Sequence, residues 1–188
     1  MSASDRLPSA ADANPTDSTA GDEQSGTVTL SARPADGSSN RSAAMWSPLA
    51  ALRGAIDEKF PGVEPDVLDA VRMAVGELGE NVLKYGEPVD GVAGRVTVSR
   101  TADGVEIRAV SRLTDPRRTE RVVGILSRIA AGCDLRASFE ARMLQIIEHP
   151  DEESTGLGLL RIAYEGLFEL SYRHVDGTLT LVAARSIV

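Results

Sequence analysis

Glu77-Leu-Gly-Glu80-Asn81-Val82-Leu-Lys84-Tyr85-Gly86 is the stretch whose reading decides the fold. Wound as a helix, it places Glu77, Asn81 and Lys84 at i, i+4 and i+7, on one face. Upstream and within it, Val67, Val71, Ala74, Val75, Leu78 and Val82 recur at helical spacing on a neighbouring face. Such a helix can bury one side against a sheet while a carboxylate, an amide and an ammonium project together into a cleft. That trio suits magnesium and nucleotide phosphates, with amide oxygen for the hard cation, lysine for phosphate and glutamate for a proton. The plainer reading is a solvated face on which Glu80 and Lys84 form an ordinary i,i+4 pair.

The bulk properties narrow the class. The chain has 188 residues, 42% hydrophobic but only 4% aromatic, so aliphatic side chains and alanine must fill the core of one domain of ordinary size. A net charge of −8 argues against nonspecific binding to nucleic acid or to an anionic membrane. Cys133 is the single cysteine, which excludes an intrachain disulfide and a multi-cysteine zinc site. No apolar run reaches transmembrane length, and the acidic, Ser-rich start lacks the basic and apolar regions of a signal peptide. A cytoplasmic location is the expectation.

Working outward from the central helix, residues 1–25 contain almost nothing large and apolar and read as a disordered tail. Residues 26–45 read as a short strand at Thr27–Leu30 followed by a linker, with the folded domain spanning 46–188. Leu49, Leu52 and Ile56 mark a first amphipathic helix from Ser47 to Phe60, Ser47 as its N-cap and Pro48 in its first turn. The second helix runs from Pro65-Asp66 to Tyr85, with Gly86 as C-cap. Arg95–Arg100 and Val105–Val110 alternate as a hairpin across Asp103-Gly104. Helical periodicity then returns twice, in Val122, Val123, Leu126, Ile129 and Ala130 and in Leu135, Phe139, Met143, Ile146 and Ile147, with a break near Gly132. These helices form an insertion over 113–153. Gly156 and Gly158 lead into a further helix at Leu159–Ala163, offering free N–H groups to a phosphate. Leu167–Arg173 and Thr178–Ala184 close the chain as a hairpin across Asp176-Gly177. The order α-α-β-β-α-α-α-β-β predicts an α+β fold, a two-layer sandwich in which helices cover one face of a mostly antiparallel sheet, with a helical lid insertion.

Two motifs of this chain resemble those of one superfamily. Glu77-x-x-x-Asn81-x-x-Lys84-Tyr85 and Thr155-Gly-Leu-Gly-Leu159 are similar to the N-box and the second glycine box of the GHKL (Bergerat-fold) histidine-kinase-like ATPases, and they occur in the family's order over residues 46 to 186. The resemblance implies ATP and Mg²⁺ as cofactors. Asn81 would hold the metal, Glu77 would polarise the attacking group and Lys84 would lie near the phosphates. Thr155, Gly156, Leu157 and Gly158 would run along the triphosphate, and Tyr85 would line the cleft or simply pack. The family's Asp-x-Gly-x-Gly box is missing. Its place reads Ala109-Val-Ser-Arg-Leu-Thr-Asp-Pro116, with Ser111 where the adenine-binding aspartate belongs. A serine hydroxyl accepts one hydrogen bond from adenine but brings no charge, so weaker nucleotide affinity is expected.

The insertion from Arg112 to Ile147 is similar to that of SiaB-type regulatory protein kinases, relatives that also lack the ordinary first glycine box. The resemblance implies a regulatory Ser/Thr protein kinase of the anti-sigma-factor branch, acting on a small phosphoprotein or anti-sigma-type antagonist in a partner-switching circuit. Relatives of that branch often pair through their sheet, which makes a homodimer conceivable here. The alternative is a degenerate, non-catalytic module that regulates a partner by contact alone. His149 and His174 have no neighbours suited to a phosphoacceptor, and no helical hairpin with a phosphorylatable histidine precedes the ATPase-like part, which argues against a histidine kinase proper.

Overall fold

The computed structural model of the chain describes residues 25–31, 39–148 and 156–187. The bulk of the expected tail, Thr155 and the end of the lid insertion lie outside them. The elements are β1 (Ser25–Ser31), α1 (Ser39–Gly54), α2 (Ile56–Lys59), α3 (Pro65–Tyr85), β2 (Val92–Arg100), β3 (Gly104–Arg112), α4 (Pro116–Ala130), α5 (Leu135–Glu148), α6 (Leu157–Tyr164), β4 (Glu169–Val175) and β5 (Thr178–Ser186). The five strands form one sheet in the order β1-β2-β3-β5-β4, antiparallel at every junction. Helices pack against one face, giving the expected two-layer α+β sandwich.

The alternation read from the sequence sets which side chains meet the helices. Val98, Ile107 and Ala183 lie in one row across β2, β3 and β5, and Val96, Ala109 and Leu181 in the next. All six are buried, whereas Arg95 and Arg108 on the opposite face are exposed. Above these rows lies α3, whose Val67, Val71, Ala74, Val75, Leu78 and Val82 are buried at the spacing that defined its apolar face. Burial of one such side chain stabilises by roughly 1.5–3 kcal/mol, so this stripe dominates the core. Leu49, Leu52, Ile56 and Phe60 complete it from α1, α2 and the turn that follows.

Two local expectations need correction. The first helix begins at Ser39, so Ser47 is not its N-cap and Pro48 lies in its interior. Ala43, Ala44 and Met45 are strong helix formers, and α1 packs against β1, which together outweigh the hydrogen bond that proline removes. A break at Ala55 then separates α1 from the four-residue α2. Gly86 is the C-cap of α3, as expected, and has an extended conformation (φ −64°, ψ 129°). The glycine is there for space, since a Cβ would lie 2.5 Å from both Ala93 O and Val82 O. By contrast, Asp176 and Gly177 both have positive φ (50° and 71°), the geometry of a type I′ hairpin turn.

The insertion is anchored at its root. Leu113 is buried, its N–H donates to Gly177 O (2.7 Å), and its carbonyl lies 2.9 Å from His174 Nε2. Asp115 caps α4 by accepting from Arg117 N (2.9 Å) and Arg118 N (3.1 Å). Further along α4, Ser127 Oγ and Tyr172 OH share a hydrogen bond of 2.8 Å that ties the helix to β4. No helix among the described residues is long and apolar enough to cross a membrane.

Candidate functional site

The candidate site forms where α3, β3 and the start of α6 converge. In β3 the inward-facing positions are Val105, Ile107 and Ala109, so the next one along is Ser111, which pairs with Gly94 on one side and Leu179 on the other. The period of two thus aims the serine hydroxyl at the helix layer. Asn81 and Tyr85, four residues apart on α3, approach the same space. A cavity of about 60 Å³ results, lined by Asn81, Tyr85 and Ser111 among apolar side chains such as Leu78, Leu113 and Leu159.

Gly156 closes this cavity from the α6 side. Its φ of 95° is left-handed, and a Cβ there would collide with Cδ1 of Ile125 on α4. Only glycine suits both the conformation and the contact. Beyond Ile125 and Gly156 lies an open recess of about 1270 Å³, bordered by α4, α5 and the start of α6, with Arg121, Arg128 and Arg142 among its lining. The Ile125–Gly156 contact is therefore the wall between a small apolar cavity and a large one of mixed polar and apolar lining.

The remaining expected residues divide. Glu77 does not line the small cavity. Its carboxylate lies against the first turn of α6, where a Cβ on Gly158 would meet Oε2, and its Oε1 accepts from Arg161 Nη1 at 3.2 Å. Arg161 is held in turn by Glu165, Nε to Oε2 at 2.7 Å. The hydrogen bond that Arg161 donates to Glu165 is the largest influence and raises the guanidinium above its ordinary value. Burial, the next largest, opposes it, and the charge of Glu165 and the hydrogen bond and charge of Glu77 add to the rise. Lys84 is also outside the cavity and donates to Glu80 Oε2 at 3.1 Å, with both side chains about half exposed. This is the plain i,i+4 pair. Leu157 is the first residue of α6, half-buried and outside the cavity lining. The sequence reading missed Arg161 and Ile125. Arg161 carried a signal in its i,i+4 spacing to Glu165, whereas Ile125 was one apolar residue among many.

The donor set can be weighed against the implied cofactors. Among the described residues no group of three or more His, Cys, Asp and Glu side chains could hold a metal ion. Magnesium bound through phosphates needs only one or two protein oxygens, which the Asn81 amide can supply. Adenine could find a hydroxyl on Ser111 and a ring on Tyr85. Space is the mismatch, since 60 Å³ takes about two waters whereas ligand pockets run to roughly 300–1,000 Å³. Displacing Ile125 from Gly156 would join this space to the larger recess beyond. No protein-family model matches the chain, and no curated protein matches it.

Proposed function

We propose that the protein is a regulatory Mg-ATP-dependent Ser/Thr protein kinase acting on a small partner protein. The observation that carries this reading is the convergence of Asn81, Ser111 and Gly156, 30 and 45 residues apart in the chain, on one cavity with Glu77 packed beside it against Gly158. In this reading Asn81 contributes an oxygen to Mg²⁺, which neutralises phosphate charge when bound, and the backbone at Gly156–Gly158 faces the phosphates at the positive end of α6. Transfer joins the partner's hydroxyl oxygen to the γ-phosphorus and breaks the bond to the β–γ bridging oxygen. ADP leaves with that electron pair, and the hydroxyl proton passes to Glu77.

The second reading, a non-catalytic module that controls its partner by binding alone, is favoured by the 60 Å³ volume and by the uncharged Ser111. Calorimetric titration with ATP and ADP, with and without Mg²⁺, on the native protein and Asn81→Ala separates the two. Magnesium-dependent binding that Asn81→Ala weakens is the expected outcome. Silence at millimolar nucleotide overturns the autonomous kinase and leaves the binding module.

A further inference from the structure

Glu77 is a weak candidate for proton transfer unless something fixes which oxygen does the work, because a glutamate on a helix surface has three rotatable bonds and two equivalent oxygens. The structure supplies such a constraint. Arg161 Nη1 holds Oε1 at 3.2 Å, and Oε2 is left against Gly158. The guanidinium is itself tethered one turn along α6 by Glu165, at 2.7 Å, so its position does not depend on Glu77. The planar fork of arginine serves both carboxylates at once from Nε and Nη1, with the two donors held in a fixed relative direction. The Glu77 side chain is 25% exposed, shielded on one side yet open to an incoming hydroxyl.

We propose that Arg161, held by Glu165, is the positioning residue for Glu77: it occupies Oε1 and turns Oε2 towards the glycine-rich start of α6. This rests on the kinase reading, in which Glu77 accepts the hydroxyl proton. The arrangement follows the logic of an acid–base group oriented by a third side chain. It gives Arg161 a role that the i,i+4 pair with Glu165 alone would not require.

The first test uses nucleotide-free protein. Coupling of glycine ethyl ester by a water-soluble carbodiimide is followed residue by residue by peptide mass spectrometry. Arg161→Met raises the rate at Glu77 several-fold and leaves Glu80 and Glu87 unchanged. Glu165→Gln, which loosens the tether without touching Glu77, acts in the same direction and serves where Arg161→Met does not fold. The second test is Mg-ATP hydrolysis with water as acceptor. Arg161→Met lowers turnover about 10- to 100-fold with ATP affinity unchanged, and adds nothing in a Glu77→Gln background. An unchanged rate at Glu77, a uniform rise at all carboxylates, or additive losses in the double variant overturn the proposal and leave the kinase reading standing. So does a wild-type protein that binds Mg-ATP without releasing phosphate. A wild-type protein that binds no nucleotide overturns the kinase reading and this inference with it.

Discussion

The Glu87 carboxylate fastens the root of the helical insertion by accepting the Thr114 N–H at 2.7 Å and, through its other oxygen, the Thr114 hydroxyl. The same Oε1 accepts from Asp115 N at 2.9 Å, and Glu87 N donates to Arg112 O at 2.9 Å. One residue just beyond α3 thus fixes the direction in which the chain leaves β3 and enters α4. Because Asp115 is the N-cap of α4, the cap and the anchor are linked.

This anchor makes stability depend on pH in a defined sense. Hydrogen bonds from the Thr114 side chain, then from the Thr114 and Asp115 backbone, hold Glu87 below its ordinary value of 4.5. A carboxylate whose folded value is lowered contributes stability that is full above its unfolded value and is lost as pH falls through the folded one. Glu87→Ala therefore costs about 1–2 kcal/mol near neutrality. The gap between the two proteins narrows as the pH drops below about 4.5. Chemical denaturation at pH 7 and pH 3 checks this, and a gap of constant size would refute it.

Much of this architecture was legible because the core is aliphatic and its periods are clean. Val96, Val98, Val105, Ile107 and Ala109 alternate without interruption, and the α3 stripe runs unbroken from Val67 to Val82. The hairpin at Asp103-Gly104 was found by a signal that works here for another reason. Gly104 lacks the positive φ of a turn glycine, and its missing side chain instead makes room for the Arg185 carbonyl of β5. The start of α1 was not legible, because Ser47-Pro48 has the chemistry of a helix beginning, and the helix formers before it together with packing against β1 override that signal. Within the site, helical spacing grouped Glu77, Asn81 and Lys84, and of these only Asn81 lines the small cavity. It could not tell whether Glu77 and Lys84 face a ligand or a neighbouring charge, since that depends on Arg161 and Glu80 across the surface.

The two glycines of the box should respond differently to alanine. At Gly158 a methyl group meets only the end of the Glu77 side chain, and alanine favours the helix by about 1 kcal/mol, so the melting temperature should stay within a few degrees. Glu77 is nevertheless pushed away from Arg161, and its carbodiimide reactivity rises. At Gly156 the left-handed φ and the contact with Ile125 both oppose a side chain, and Gly156→Ala destabilises by about 1–3 kcal/mol. Equal melting temperatures for the two variants would contradict this account.

Ser111 offers a test of where a base would sit. It faces the cavity from the position that the β3 register makes inward, close to Tyr85 and Asn81. Ser111→Asp adds a charged acceptor, and charge-assisted hydrogen bonds are roughly twice as strong as neutral ones. Tightening of ATP binding by about tenfold, or 1.4 kcal/mol, is expected, with no gain for inorganic triphosphate. An equal gain for both ligands, or none for either, would place the adenine elsewhere.

The wall between the two cavities gives the sharpest prediction about access. Ile125 is nearly buried and its Cδ1 packs on Gly156, so Ile125→Ala removes the partition and costs about 2 kcal/mol. If the small cavity admits a nucleotide only when this contact opens, the binding-competent state is a minor fraction in the native protein, and the variant raises it. Stopped-flow association of a fluorescent ATP analogue should then be several-fold faster in Ile125→Ala. Leu126→Ala is the control, because Leu126 is buried in the core and does not line the small cavity. It loses comparable stability by the same large-to-small mechanism but leaves the partition in place. Faster association in both variants would point to general loosening of the helical insertion, and in neither to a route that bypasses Ile125.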